Sequence, residues 1–362
     1  MPSVTAAADR EQIVIGVDTH KDTHVAVALT VQGAFVDTLN FASTSVGIGQ
    51  VMRWAAGLGE VTAWGVEGTG SYGAGLARAL LAAGEPVVDV NHANRAARRV
   101  LGGKTDRIDA EAAARSVLTG YATAIPKTGD GPVELLRITR AARSSAVKAR
   151  TAAMNQLRAV LVTAPPMLRD QLSALSPAAL IDRCAKTRPG TATTVEAGVK
   201  RTLKALARRH QQLSAEIAEH SRELTRLAEQ TAPALLAEHG VGPDTAAALL
   251  IAAGDNPERL HSEAAFAALC GTNPIPASSG QTNRHRLNRS GDRQANAALH
   301  RIIIVRLVRH DETRAYMRSH ANRNGSNKLH VIRCLKRALA RRLYPLIVQA
   351  ITPDTQTMPT AA

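Results

Sequence analysis

Aromatic side chains are scarce here: two Trp, four Tyr and three Phe make up about 2% of 362 residues. That leaves little material for stacking bases on aromatic platforms and predicts contacts aimed at phosphates instead. Cysteine is scarcer. Cys184, Cys270 and Cys334 lie far apart with no C-x-x-C pair, which argues against a disulfide framework or a thiolate zinc site and fits a reducing cytosol. No uninterrupted apolar run reaches the roughly 18 residues of a membrane span, and the opening MPSVTAAADREQ lacks the charged-then-apolar order of a signal peptide. The expectation is a cytoplasmic protein with no membrane partner.

What the chain has in excess is positive charge. Lys and Arg number 45 against 30 Asp and Glu, a formal net charge of +15, which points to a polyanion such as DNA. The excess is local: Gln281 to Arg342 carries 16 basic and 3 acidic residues, leaving a nearly balanced 29 and 27 elsewhere.

The most informative stretch is GGKTDRIDAEAAARSVL, Gly102 to Leu118. Gly102-Gly103 interrupts any helix arriving from upstream, and Asp106 and Asp109, three residues apart at a helix start, share one face. Paired carboxylates suit Mg²⁺ or Mn²⁺, although acids in a first helical turn are also favoured by the helix dipole alone. Further carboxylates stand at predicted strand ends. Ile13 to Thr30, IVIGVDTHKDTHVAVALT, reads as two strands joined by a polar segment, with Asp18 where the first ends. A third strand is expected over Ala34 to Phe41, a helix over Ser45 to Leu58, a strand over Val61 to Glu67, a helix over Tyr72 to Ala83 and a strand over Pro86 to Val90. A helix bearing Arg95, Arg98 and Arg99 follows. The order is three strands, then alternating helices and strands, and in such α/β sheets strand ends collect the site. Asp22, His20 and His24 read as loop polar groups or nucleic-acid contacts rather than ligands.

The motifs GVDTHKDTH, GVEGTGSYG and GGKTDRIDA resemble the DEDD nuclease-like domain of the insertion-sequence-110 family of transposases, itself similar to the RuvC resolvase and ribonuclease H fold. The resemblance implies that Asp18, Glu67, Asp106 and Asp109 form an acidic tetrad that coordinates Mg²⁺, with Mn²⁺ as the substitute. It also implies an oligomer, from dimer to a tetramer of paired dimers, with a site shared between subunits, and a structured guide RNA bridging donor and target DNA.

The remainder reads as helical. Pro126 to Asp130 is a linker by composition. Long helices are expected over Val133 to Ala164 and Thr194 to Glu229, pairing as a hairpin or as an intermolecular coiled coil, with an irregular region between them. Leu235 to Ala252 resembles a helix-hairpin-helix whose turn, with Gly240 and Gly242, could present N–H groups to a DNA phosphate. Leu269 to Arg293 is a Pro-, Ser- and Gly-rich loop leading into Arg284, Arg286, Arg289 and Arg293, expected nucleic-acid contacts. By composition alone its Ser-Ser-Gly is a turn. The family resemblance implies a nucleophilic serine, Ser279, with Ser278 the alternative register. Amphipathic basic helices are expected over Asn296 to Arg314 and Ser326 to Leu346.

The expected fold class is α/β plus all-α, with a RuvC/ribonuclease H-like mixed sheet. The expected domains are a leader (1–12), the DEDD domain (13–125), a helical linker or coiled coil (126–230), a transposase domain with helix-hairpin-helix and serine loop (231–351) and a tail (352–362). The expected function is a DNA transposase of a prokaryotic, nucleoid-associated kind. The rival is a RuvC-like endonuclease or junction resolvase that uses the acids with water and leaves Ser279 idle. An actin-like ATPase or sugar kinase fits less well, because DTHKDTH lacks glycines to surround a phosphate.

Overall fold

A computed structural model describes residues 10–90, 105–191, 193–278, 285–321 and 327–352. The chain divides into two compact units, one of residues 1–131, 253–265 and 351–362, the other of residues 132–252 and 266–350.

The first unit is built on a five-stranded sheet. Its strands are β1 (Gln12–Thr19), β2 (Thr23–Thr30), β3 (Phe35–Ala42), β4 (Glu60–Glu67) and β5 (Val87–Val90), in the order β3-β2-β1-β4-β5. β1, β2 and β3 are antiparallel neighbours joined by short turns; β4 runs parallel to β1 and β5 parallel to β4, as their helical crossovers require. β1 is central and buried on both faces, which is why Ile13 to Val17 reads as a continuous apolar run. Helices α1 (Ser45–Leu58) and α2 (Ala74–Ala82) supply residues to the core on one face, where Ile13, Ile15, Val17, Trp64 and Val66 meet Val51, Ala55, Leu76 and Leu80. Helix α3 (Asp106–Leu118) covers the other face, packing Ala110 and Ala114 on Val14, Val25, Val27 and Leu29.

Two glycines set how closely α3 lies. Gly16 and Gly65 are paired across β1 and β4. A Cβ on Gly16 would fall 2.0 Å from the Ala110 carbonyl oxygen and 2.3 Å from the Ala114 nitrogen, and one on Gly65 would fall 2.7 Å from the Val117 side chain. The helix answers with alanines, Ala110, Ala112, Ala113 and Ala114, all fully buried. Small residues on both surfaces bring helix and sheet into backbone contact.

Residues 253–265 return to this unit and pin the segment read as a linker. Asn256 Nδ2 donates to Pro126 O (3.2 Å) and its Oδ1 accepts from Thr128 N (3.4 Å); Arg259 Nε donates to Ile125 O (2.7 Å).

The second unit is helical apart from one hairpin. Long helices α4 (Pro132–Val162) and α7 (Val195–Thr231) pack along each other within the chain. The region between them, expected to be irregular, instead holds α5 (Pro166–Ser173) and α6 (Pro177–Lys186), whose prolines occupy first-turn positions where a missing N–H costs nothing. Leu168, Leu172, Leu180 and Ile181 from these helices share a core with Leu157, Leu161 and Leu203. Next come α8 (Pro233–Leu236), α9 (Pro243–Ala253), α10 (Glu263–Leu269), the strand pair β6 (Pro274–Pro276) and β7 (His285–Leu287), and α11 (Arg293–Arg309), α12 (Asp311–Ala321) and α13 (Lys328–Ile351).

Three further expectations change here. The first arm of the expected helix-hairpin-helix is the single turn α8. The helix expected over Asn296 to Arg314 is two, broken at His310, whose Nδ1 accepts from Thr313 N (3.3 Å) to start α12. The serine loop springs from the β6–β7 hairpin rather than passing directly between helices.

Charges fasten this unit. Asp244, in the first turn of α9, meets Arg140 Nε at 3.1 Å and Arg143 at 3.6 Å from α4, and Arg301 at 2.9 Å from α11. Glu238 accepts from Arg306, a buried guanidinium 2.8 Å away, and from Arg342. Burial alone would push the Glu238 carboxyl up, but the hydrogen bonds and charges of Arg342 and Arg306 outweigh it and hold it below its ordinary value. A depressed acid contributes stability above its unfolded pKa and loses it as pH falls through the folded value. Glu238→Gln is therefore expected to cost about 1–3 kcal/mol at neutral pH and to flatten the loss of stability below about pH 4.5, checked by thermal melts across pH 3–7.

Candidate active site

Strand alternation fixes where the first acid points. Along β1, Ile13, Ile15 and Val17 face α1 and α2, so Val14, Gly16 and Asp18 face α3. The same count on β4 puts Trp64 and Val66 on the far face and Gly65 and Glu67 on the α3 face. Val17 pairs with Val66, so Asp18 and Glu67, each one residue further on, stand side by side at the carboxyl ends of neighbouring parallel strands. Thr19 Oγ1 donates to Glu67 O (2.9 Å), tying the two ends together.

Helix α3 brings the other two. The Thr105 hydroxyl caps it by accepting from Ile108 N (3.3 Å), starting the helix at Asp106. Asp109 then falls in the first turn, buried against the sheet at 6% exposure, while Asp106 stays exposed at the rim.

His20 completes the group. Its Nε2 lies 3.2 Å from Asp18 Oδ2 and 3.4 Å from Asp106 Oδ1, and ligand atoms of Asp18, His20 and Asp106 all lie within 4.8 Å of one another. The β1–β2 turn aims it: His20 N donates to Thr23 O (3.2 Å) and to His24 Nδ1 (3.3 Å). The His24 ring, buried and edge-on to Phe41, has its pKa lowered by that burial, which suits a neutral acceptor. His20, read from the sequence as a loop polar group, does lie in the β1–β2 turn, and there it stands between two of the acids. The signal was present in the alternation, since His20 follows Asp18 by two and shares its face.

Burial raises the Asp18 pKa; the nearby charge of His20 opposes this, while those of Asp109 and Asp106 add to it. Three carboxylates concentrated at one strand end, two of them buried (Asp18 and Asp109), form a region of negative potential. Carboxylate oxygens with one imidazole nitrogen are a donor set that fits a divalent cation such as Mg²⁺ or Mn²⁺.

The other expected site residues lie in the second unit. Gly240 takes φ +82 and packs against α11, where an added Cβ would come 3.3 Å from Ile302 O. The Gly242 N–H is donated to Thr245 Oγ1 (2.9 Å) within its own turn. Both glycines thus have a part in the corner itself. Arg286 on β7, Arg289 after it and Arg293 at the start of α11 are exposed. Ser278 is exposed at the last described position of the hairpin loop. Ser279 and Arg284 lie outside the described residues, as do Arg95, Arg98 and Arg99.

Comparison with known families gives two matches. A DEDD family model for IS110, described as Transposase, matches residues 15–166, from β1 into α4 and past all four carboxylates. A second, described as Transposase IS116/IS110/IS902 family, matches residues 229–318, which contain the serine loop and most of the arginine-rich segment. Together they match about two thirds of the chain. No curated protein matches it.

Proposed function

The chain belongs to the IS110 family of transposases, DNA-recombining enzymes, and from that premise we propose that it exchanges DNA strands by joint use of its acidic group and a serine nucleophile. The observation carrying this reading is the convergence of Asp18, His20 and Asp106, coupled to Asp109, inside the stretch matched by the transposase model.

Asp18 and Asp106, with Asp109 and Glu67 beside them, would hold Mg²⁺, and His20 is the nitrogen at hand. A bound Mg²⁺ would supply positive charge to a scissile phosphate and its leaving oxygen. The residues of the chain do the rest. Ser279 Oγ attacks phosphorus and loses its proton, the phosphorus–oxygen bond to one DNA strand breaks, and that strand leaves as a hydroxyl. The phosphoserine link is resolved by the reverse step with another strand's hydroxyl, so no external energy source is needed. Arg286, Arg289 and Arg293 grip the backbone without reading bases. Two to four copies act together, and a structured RNA encoded by the element pairs with donor and target DNA.

The test is metal removal. Full-length protein with supercoiled or junction DNA and any copurifying RNA is expected to cut and rejoin DNA with Mg²⁺ or Mn²⁺ and to lose at least about 10³-fold in rate with EDTA, while binding DNA as before. Undiminished activity in EDTA would refute the metal assignment. The hydrolytic alternative draws support from the acidic group's lying wholly within the first unit, and it predicts cutting without rejoining.

A further inference from the structure

The turn that carries His20 is held from two sides. Within it, His20 N donates to Thr23 O (3.2 Å) and to His24 Nδ1 (3.3 Å), and His24 is itself only 1% exposed, with its ring edge-on to Phe41. From the segment that follows β3, Ser43 N donates to Asp22 O (3.0 Å) and Ser43 Oγ donates to Lys21 O (2.8 Å). These bonds fix the backbone of residues 20–22, so the His20 ring stands on a rigid base although it is half exposed.

The ring is also at ligand spacing from two acids. Neighbouring ligands of a six-coordinate ion with bonds of about 2.1 Å lie about 3 Å apart. His20 Nε2 is 3.2 Å from Asp18 Oδ2 and 3.4 Å from Asp106 Oδ1, close to such an edge on both sides. As a hydrogen-bond donor, Nε2 has one proton to offer two carboxylates, whereas an ion among the three atoms satisfies all of them. Charge favours the same arrangement. Asp18, Glu67, Asp106 and Asp109 already bring negative charge to a place that has to accept a phosphate. A further carboxylate would repel that phosphate, while a neutral imidazole adds a bond to the ion without adding to the repulsion.

We infer that His20 is a ligand to the divalent ion and that its nitrogen sets the choice of ion, favouring Mn²⁺ over Mg²⁺. The inference rests on the metal-dependent function proposed above and adds to it a ligand outside the four carboxylates and a preference among ions. Imidazole suits transition ions, whereas Mg²⁺ keeps to oxygen and gives up its waters reluctantly. Mn²⁺ is the transition ion that shares the liking of Mg²⁺ for carboxylate and water, so a set of carboxylate oxygens with one nitrogen selects it.

The experiment is pulsed electron paramagnetic resonance on full-length, untagged protein with substoichiometric Mn²⁺ and no DNA, at one fixed pH. Wild type is expected to show coupling of the manganese to ¹⁴N, and labelling its histidines with ¹⁵N is expected to move that coupling to the ¹⁵N frequency. His20→Gln offers an amide oxygen at similar reach from a half-exposed position, and is expected to abolish the coupling while the carboxylates still hold the ion. Competition between Mg²⁺ and Mn²⁺ gives the preference: the ratio of Mn²⁺ to Mg²⁺ affinity is expected to fall about tenfold or more in His20→Gln, with Mg²⁺ affinity changed by less than about threefold. Manganese bound without nitrogen coupling in wild type, coupling that persists in His20→Gln, or an unchanged ratio would each overturn the inference. The labelled wild type decides the matter even should the variant fold poorly, because His24 is buried and its Nδ1 is engaged by His20 N. Oxygen-only coordination together with exchange that EDTA abolishes would remove His20 from the ligand set and leave the proposed function intact. Nitrogen-coordinated manganese together with exchange indifferent to EDTA would refute the metal's part in that function and leave His20 a ligand.

Discussion

Asp106→Asn is expected to lower strand exchange by about 10³-fold or more while thermal midpoint and affinity for duplex DNA stay essentially unchanged. The separation is possible because of where Asp106 sits. Its side chain is 61% exposed at the first residue of α3, so its carboxylate contributes little to folding, yet one of its oxygens lies 3.4 Å from the His20 imidazole that also contacts Asp18. Removing one negative charge should weaken cation binding directly. Calorimetric titration with Mn²⁺ is the companion readout, and a loss of exchange with unchanged Mn²⁺ affinity would contradict the role given to this residue. Asp109 is the poorer probe: it is buried, and its replacement would disturb the packing of α3 along with the site.

Gly16→Val is expected to be the most damaging change to the first unit that touches no acidic residue. The new Cβ would overlap the Ala110 carbonyl and the Ala114 nitrogen, and both are backbone atoms that cannot rotate away. Either α3 lifts off the sheet or β1 bends, at a cost of about 3 kcal/mol or more. Because α3 carries Asp106 and Asp109 and β1 carries Asp18, even a folded variant should lose the spacing of the acids. Gly57→Ala is the matched control. Its Cβ would meet nothing within 4 Å, and it lies inside α1, so it is expected to raise stability by about 0.5–1 kcal/mol. Thermal melts of the two variants check both. A Gly16→Val protein as stable as wild type would contradict the close approach of helix and sheet.

Much of the first unit was legible because its rules are local. Period-two alternation and turn residues set β1 to β3, and the order of apolar runs and helical segments set the parallel pairing of β4 and β5. The close seat of α3 was not legible: Gly16 and Gly65 look like ordinary strand glycines until the register pairs them. The approach of His20 to the acids was not read because the polar string DTHKDTH reads as a loop, which it is, although continuing the alternation past Asp18 would have placed it on the α3 face. In the second unit, the stretch read as irregular holds two helices because Pro166 and Pro177 start them, and the β6–β7 hairpin was hidden because its strands are three residues each and β6 begins and ends with proline. Asp244 carried no signal of its own in the sequence beyond standing near a helix start. Its partners Arg140, Arg143 and Arg301 are far away in sequence, so the fold alone could identify it as the junction of α4, α9 and α11.

The central claim, that the acidic group and a serine act in one phosphoryl transfer, is tested most directly by trapping the covalent intermediate. Full-length wild type, Ser279→Ala and Ser278→Ala, each with Mg²⁺, supercoiled or junction DNA and copurifying RNA, would be denatured and resolved on a gel for DNA attached to protein. The account predicts an adduct in wild type and Ser278→Ala and none in Ser279→Ala. Cleaved DNA with no adduct in any of the three would contradict it and make the protein a metal-dependent hydrolase.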